Sequence, residues 1–317
     1  MLVARHPNDL VIRPMRPDDL AWAVGLAAEE GWNPGLHDAA CFYAADPGGF
    51  LVAELEGERI GSVSAVRYDD RFAFLGFYIV LPQYRGAGYG NDIAAACLKL
   101  AGDRSYGIDG VVAMQETYQR WGFVPSYMGI RFCRGLGAAA GPSAAALGPG
   151  AAAATRAAAP PRPDPVRRSA PPSCAITPVT AAHRDALLAY DRLCFPAERR
   201  AFLDCWLAMP GSPALCAQRD GEFCGYGVIR PCVTGYKIGP LFADDALVAD
   251  DLYAALCAAA PDDGPVYLDV PDSNPQAVAL AEALGMSEVF RTVRMYMGPE
   301  PAIDHRRVFG VTTFELG

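Results

Sequence analysis

Apolar positions along the chain switch between a spacing of two and a spacing of three to four, which lays out alternating strands and helices. In the first part, residues 10–13 read as a short strand and 18–30 as a helix opened by Asp18 and Asp19. The loop Gly31-Trp32-Asn33-Pro34-Gly35 leads to a short helix over 37–45. Strands at 50–55 and 60–68 flank the turn Glu56-Gly57-Glu58-Arg59, and 71–81 is a third, strongly apolar strand. A helix over 88–101, a strand at 110–114, a helix at 116–121 and a closing strand at 127–133 follow. An antiparallel meander that runs into a βαβ unit predicts an α/β fold, a mixed sheet with helices on both faces.

The second part repeats that order. A strand at 175–179 and helices at 183–194 and 201–209 precede strands at 215–219 and 225–231, which bracket Asp220-Gly221. A strand at 236–242, a helix at 246–260, a strand at 266–270, a helix at 275–284 and a strand at 289–297 complete it. The repetition predicts an internal duplication at a period of about 170 residues. Two tandem lobes are expected, 1–134 and 173–317, each a mixed, mostly antiparallel sheet flanked by helices. Between them, the 38 residues 135–172 hold 14 Ala, 8 Pro and 5 Gly. So little apolar bulk cannot offset the entropy of ordering, so this stretch is expected to be a flexible linker.

Composition narrows the function more than the fold. The chain is 52% hydrophobic and 20% charged, as globular proteins are. No apolar run reaches the roughly 18 residues that cross a bilayer, and MLVARHPNDLVIRP lacks a secretory core, so a cytoplasmic protein off the membrane is expected. A net charge of −9 argues against nucleic-acid binding and suits a cationic acceptor, although acidic surfaces also serve solubility alone. The ten cysteines form no CxxC pair and the four histidines stand singly, so no metal site is expected. Cys216, Cys224 and Cys232 fall in strand-like segments and read as small core residues.

One stretch carries recognisable chemistry. GFYIVLPQYRGAGYGNDIAAACLKL joins an apolar strand to an amphipathic helix through a glycine-rich turn. Gly86, Gly88 and Gly90 allow backbone conformations and close approaches closed to other residues. The first helical turn presents unpaired N–H groups and partial positive charge, which suit a pyrophosphate, and Arg85 adds a full charge. The segment resembles the glycine-rich motif of the GNAT acetyltransferase superfamily, a strand followed by Q/R-x-x-G-x-G/A and a helix, matched in order by Gln83, Gly86 and Gly88. Further on, Tyr118-Gln119-Arg120-Trp121-Gly122-Phe123 resembles the family's Y-x-x-x-G-F signature. A dinucleotide site would instead need its loop after the first strand of a parallel unit.

The resemblance implies an acetyl-CoA dependent N-acetyltransferase that acts on a primary amine of a small molecule or peptide, without a metal. The backbone of Tyr78, Ile79 and Val80 would pair with the pantetheine arm. The amides of Arg85, Gly86, Ala87, Gly88, Tyr89 and Gly90 would hold the pyrophosphate. Tyr118 would protonate the departing thiolate; the other reading is an aromatic that packs a helix face. Many relatives carry a glutamate base on the strand before the loop, but Phe72-Ala73-Phe74-Leu75-Gly76-Phe77 has no carboxylate. Asp69, Asp70 and Asp109 are the nearest acids in sequence, and no base is assigned.

The second lobe departs further. KIGPLFADDALVADDL stands in the place of strand, loop and helix without a glycine-rich turn, and its four aspartates would repel a pyrophosphate. Asn274 and Gly285 fit the later family segment, but Ala281 stands where the tyrosine belongs. The wording of this lobe, which ends RVFGVTTFELG, resembles YitH-type acetyltransferase domains, and on that likeness Trp32, Asp191, Arg199, Arg230 and Asp269 become acceptor-pocket candidates. The leading reading is an enzyme with one cofactor site in the first lobe. The alternatives are a cofactor-binding sensor without transfer and an enzyme whose second lobe is the catalytic one.

Overall fold

The structure is a computed structural model that describes residues 10–135 and 174–317. The expected linker lies outside the described residues apart from Gly135. In the first half the elements are β1 (Leu10–Pro14), α1 (Pro17–Glu29), α2 (Asp38–Ala45), β2 (Phe50–Leu55), β3 (Glu58–Arg67), β4 (Phe72–Val80), α3 (Tyr89–Ala101), β5 (Ser105–Val111), α4 (Gln115–Arg120) and β6 (Val124–Arg134). The second half holds β7 (Ala175–Pro178), α5 (Arg184–Cys194), α6 (Arg200–Trp206), β8 (Ala214–Arg219), β9 (Glu222–Pro231), β10 (Tyr236–Ala243), α7 (Ala246–Ala258), β11 (Val266–Pro271), α8 (Pro275–Ala283), β12 (Ser287–Met297) and β13 (Val308–Gly310). The mixed α/β class expected from the pattern is what is found. Two elements differ from expectation. β5 begins five residues early, because the glycines and aspartate of SYGIDG mask a buried strand, and β13 was not foreseen.

The two sheets are one. The strands run in the order β1-β2-β3-β4-β5-β12-β6-β11-β10-β9-β8-β7, with β13 against β10. The halves therefore exchange their closing strands. β6 leaves the first half to pair with β11, from Gly129↔Pro271 to Arg134↔Val266, while β12 returns to pair with β5, from Thr292↔Val111 to Met297↔Tyr106. The two exchanged strands also pair with each other, so each covers an edge the other half would leave open.

Three large apolar clusters sandwich this sheet. One lies under α3, where Ile93, Cys97 and Ala101 meet Ile60, Ala73 and Leu75. A second lies under α7 and α8 and takes in Ile130 and Phe132 of the exchanged β6. The third joins the halves: Leu20, Phe42 and Phe77 pack with Leu187, Phe202 and Trp206, and the Phe42 and Trp206 rings stack 6.2 Å apart. The chain's last residues, 308–317, are all buried, and they run along this seam.

Candidate functional site

β4 sets the geometry of the first half. It pairs with β5 in parallel only from Phe72↔Ser105 to Leu75↔Ile108, and beyond that the two strands part. The cause is an irregularity in β4: the register against β3 shifts between Ser62 and Ser64, and Phe77 takes a φ of 50°. Ser62 Oγ donates to the Phe77 carbonyl at 2.7 Å and pins the bulge. The strand edge after Leu75 faces a gap. Alternation along β4 gives Tyr78 and Val80 to that gap, whereas Ile79 turns its carbonyl to β3, where it would lie 2.8 Å from a side chain at Gly61. Of the three residues expected along a pantetheine arm, Tyr78 and Val80 turn their backbone groups to the gap and Ile79 does not. The Val80 carbonyl already accepts from Arg85 Nε at 2.7 Å.

The glycine-rich turn stands at the mouth of the gap. Gly86 and Gly88 have φ of 77° and 98°, the left-handed region, and a side chain at Gly86 would meet nothing within 4 Å. Gly90 is glycine for a different reason, since a Cβ there would lie 2.5 Å from the Tyr78 hydroxyl. Gly88 is the N-cap of α3 and offers the helix no side-chain cap. The turn's backbone bonds run from Arg85 N to the Pro82 carbonyl and from Asn91 N to the Gly88 carbonyl. They bracket the stretch Gly86, Ala87, Gly88, Tyr89 and Gly90. Arg85 departs from expectation: its amide is in use, and its guanidinium is bound to Glu30 and Val80.

Tyr118, on α4, packs against the same apolar cluster as Tyr84 and Tyr89 on either side of this turn. Its ring sits so close over Gly110 that a Cβ there would be 2.4 Å from Cε2, which makes Gly110 necessary for its placement. Trp121 and Phe123 hold the ring at 5.7 and 6.4 Å, and Trp121 links it to Tyr78. Burial, with a smaller contribution from Tyr78, pushes its pKa up to about 12. The phenol therefore holds its proton at neutral pH, as a general acid must.

The corresponding features of the second half are filled by the protein itself. β10 and β11 also part, after Ile238↔Leu268, but β13 enters the gap. Leu241 and Phe242 pair with Gly310 and Val308, and Val311 N donates to the Asp269 carbonyl at 2.8 Å. Asn274 Nδ2 fixes this insertion by donating to the carbonyls of Arg306 and Val308. The helix after the gap, α7, is capped by Asp245, whose carboxylate accepts from Leu247 N and Val248 N at 3.0 Å. Asp244 is taken by Arg307 and by the Tyr190 hydroxyl. Carboxylates occupy this helix end, whereas Gly88 gives α3 no side-chain cap.

The acceptor-pocket candidates fall into buried ion pairs along the seam. Arg131 grips both oxygens of Asp269 at 2.6 and 2.8 Å and donates to the Trp32 carbonyl. Arg230 is paired with Asp38, and Arg199 with Asp191, which also accepts from the Tyr226 hydroxyl. Trp32, Arg131 and Asp269 are thus brought together, and Arg230 and Lys237 approach the same layer, the Lys237 ammonium 3.9 Å from Asp269. Burial lowers the Lys237 pKa. Asp191 and Arg199 lie apart in a pair of their own. Among the base candidates, Asp109 is clamped by Arg294 at 2.8 and 2.6 Å, Asp69 caps the turn before β4, and Asp70 is exposed. None of the ten cysteines forms a disulfide, and no group of three or more His, Cys, Asp or Glu that could hold a metal exists among the described residues.

Known proteins agree with this architecture. Residues 18–123 match the acetyltransferase (GNAT) family and residues 187–310 an acetyltransferase (GNAT) domain. The chain is 28% identical over 296 residues to the holothin acyltransferase of Pseudoalteromonas sp. (strain SANK 73390), covering 93% of this chain and 89% of that one. Its fold is that of an acetyltransferase from Pyrococcus horikoshii (TM-score 0.73, 20% identity, 100% and 99% of the two chains). The tandem GNAT protein from the clavulanic acid biosynthesis pathway shares it too (TM-score 0.61, 14% identity, 92% and 100%). Two family domains in tandem, on one continuous sheet, make this chain a GNAT acyltransferase.

Proposed function

We propose that the first half binds acetyl-CoA and transfers its acetyl group to a primary amine of a small molecule or peptide, while the second half shapes the acceptor side. The observation that carries this reading is the contrast between the two helix ends. α3 begins at a glycine without a side-chain cap, beside the part of β4 that β5 no longer pairs with, whereas α7 is capped by Asp245 beside a gap closed by β13. A pyrophosphate is favoured by a helix end that no side chain caps, and α3 offers such an end where Asp245 caps α7.

In this reading the amine attacks the thioester carbonyl in the gap after Leu75, the carbon–sulfur bond breaks, and Tyr118 gives its proton to the leaving thiolate. The relative named for holothin acylation supports a small-molecule acceptor and makes holothin the first acceptor to try. Calorimetric titration with acetyl-CoA, followed by thiol release with holothin and a panel of primary amines, tests the proposal. Gly88→Glu should abolish binding by setting a carboxylate where the pyrophosphate belongs. Unchanged affinity in a folded Gly88→Glu protein would place the site elsewhere.

A further inference from the structure

The strand β4 carries no carboxylate of its own, and the backbone of Glu315 crosses it. The chain's last residues leave β13 and pass from the second half to β4 of the first. The Glu315 carbonyl sits so close to Gly76 that a Cβ there would be 2.3 Å from it, and only glycine admits the tail. Gly76 follows Leu75, the last residue of β4 paired with β5, so the backbone of Glu315 lies beside the point where the two strands part. The tail is held there on both sides. Tyr68 donates its hydroxyl to the Leu316 carbonyl at 2.9 Å, and Thr313 Oγ1 accepts from Glu315 N and Leu316 N.

Glu315 is 3% exposed, and its Oε2 has no hydrogen-bond partner. That separates it from every other buried carboxylate at the seam. Asp38, Asp109, Asp191 and Asp269 are each gripped by an arginine. An unpaired buried carboxylate oxygen is costly and asks for a donor. A second unpartnered group, Ser64 Oγ, lies 3.3 Å from the same Cβ position at Gly76. A pocket lined by Tyr127, Arg294 and Tyr296 borders the tail at Thr312 and Gly317, to either side of Glu315.

We propose that Glu315 is the general base of the transfer, supplied to the first half by the end of the second. The proposal rests on the first-half acetyl-CoA site described above. The acceptor nitrogen would donate to Oε2, with Ser64 Oγ as a second contact. As the carbon–nitrogen bond forms, Glu315 takes the amine proton. As the carbon–sulfur bond breaks, Tyr118 protonates the thiolate, and Glu315 returns its proton through solvent to reset the tyrosine. The products are the amide and free CoA thiol, with no other reactant.

Glu315→Gln keeps shape and volume, and Glu315→Asp keeps the charge on a shorter arm. With acetyl-CoA and holothin or tryptamine as acceptor, Glu315→Gln should lose about 10²–10⁴-fold in single-turnover rate. Its acetyl-CoA affinity and melting temperature should stay at wild-type values, and Glu315→Asp should recover part of the rate. A wild-type rate in Glu315→Gln would overturn the assignment. So would a rate loss matched by a loss of acetyl-CoA affinity in both variants, which marks a structural tail. Failure of the wild-type protein to bind acetyl-CoA would instead overturn the function proposed above.

Discussion

Tyr118 and Gly110 form a pair in which one residue exists to place the other. If the phenol acts only as the carbon–sulfur bond breaks, Tyr118→Phe keeps the ring against Gly110, Trp121 and Phe123 and removes only the proton. The expected result is a kcat reduced about 10²–10⁴-fold with little change in acetyl-CoA affinity. A packing residue gives the opposite pattern, a harmless Phe and a destabilising Ala, and single-turnover kinetics beside thermal melts distinguish them. Tyr118 was legible in the sequence because its motif is local. Glu315 was not: a lone acid in the apolar tail VFGVTTFELG signals burial, but its place over Gly76, 239 positions earlier, is a fact of packing.

At the scale of elements, one structural plan has been finished in two ways. Both halves build a strand, a gap and a helix, and the end of that helix decides whether an anion is welcome. Asp245 caps α7 through two backbone amides, so Asp245→Ala should cost about 0.5–2 kcal/mol in a denaturant titration. Acetyl-CoA affinity should not change, because the first-half site is untouched. A large fall in affinity would instead implicate α7 in binding. The acidic, glycine-poor wording of this loop already argued against a pyrophosphate. The insertion of β13 could not be read, since three residues, Val308–Gly310, carry no periodic signal and their partners are 60 or more positions away.

The whole molecule is tied together by exchange. β6 and β12 each complete the other half's sheet, and Phe42, Phe77, Phe202 and Trp206 share one core. Residues 1–135 and 174–317 expressed together as separate chains should therefore co-purify as one complex. Each expressed alone should aggregate, because it exposes an unpaired β5 or β11 edge and half a core. Two soluble monomers in size-exclusion chromatography would contradict the exchange.

The same burial sets an alkaline limit. Tyr118 and Tyr267 have pKa values pushed up to about 12 by burial, and Tyr127 and Tyr226 are raised well above the usual value. Unfolded tyrosines ionise near pH 10, so between about pH 10 and 12 the folded chain holds more protons than the unfolded one. Stability is then fully present below pH 10 and falls as pH rises through that window. Melting temperatures recorded from pH 8 to 12 should show a plateau followed by a decline, and a flat profile would refute the burial of these phenols.

What the sequence determined by itself was everything held in short windows: the alternation of strand and helix, the repeated order of elements, the glycine turn 86–90 and the tyrosine at 118. Such features depend on local period and on backbone freedom, and both are written in neighbouring residues. Only the tertiary structure decided which strand closes which sheet, what fills the second gap and which segment of the second half crosses β4. Strand pairing and burial are set by contacts between residues far apart in sequence, and a lone glutamate in an apolar tail reads the same whether its backbone lies at the surface or against a strand of the other half.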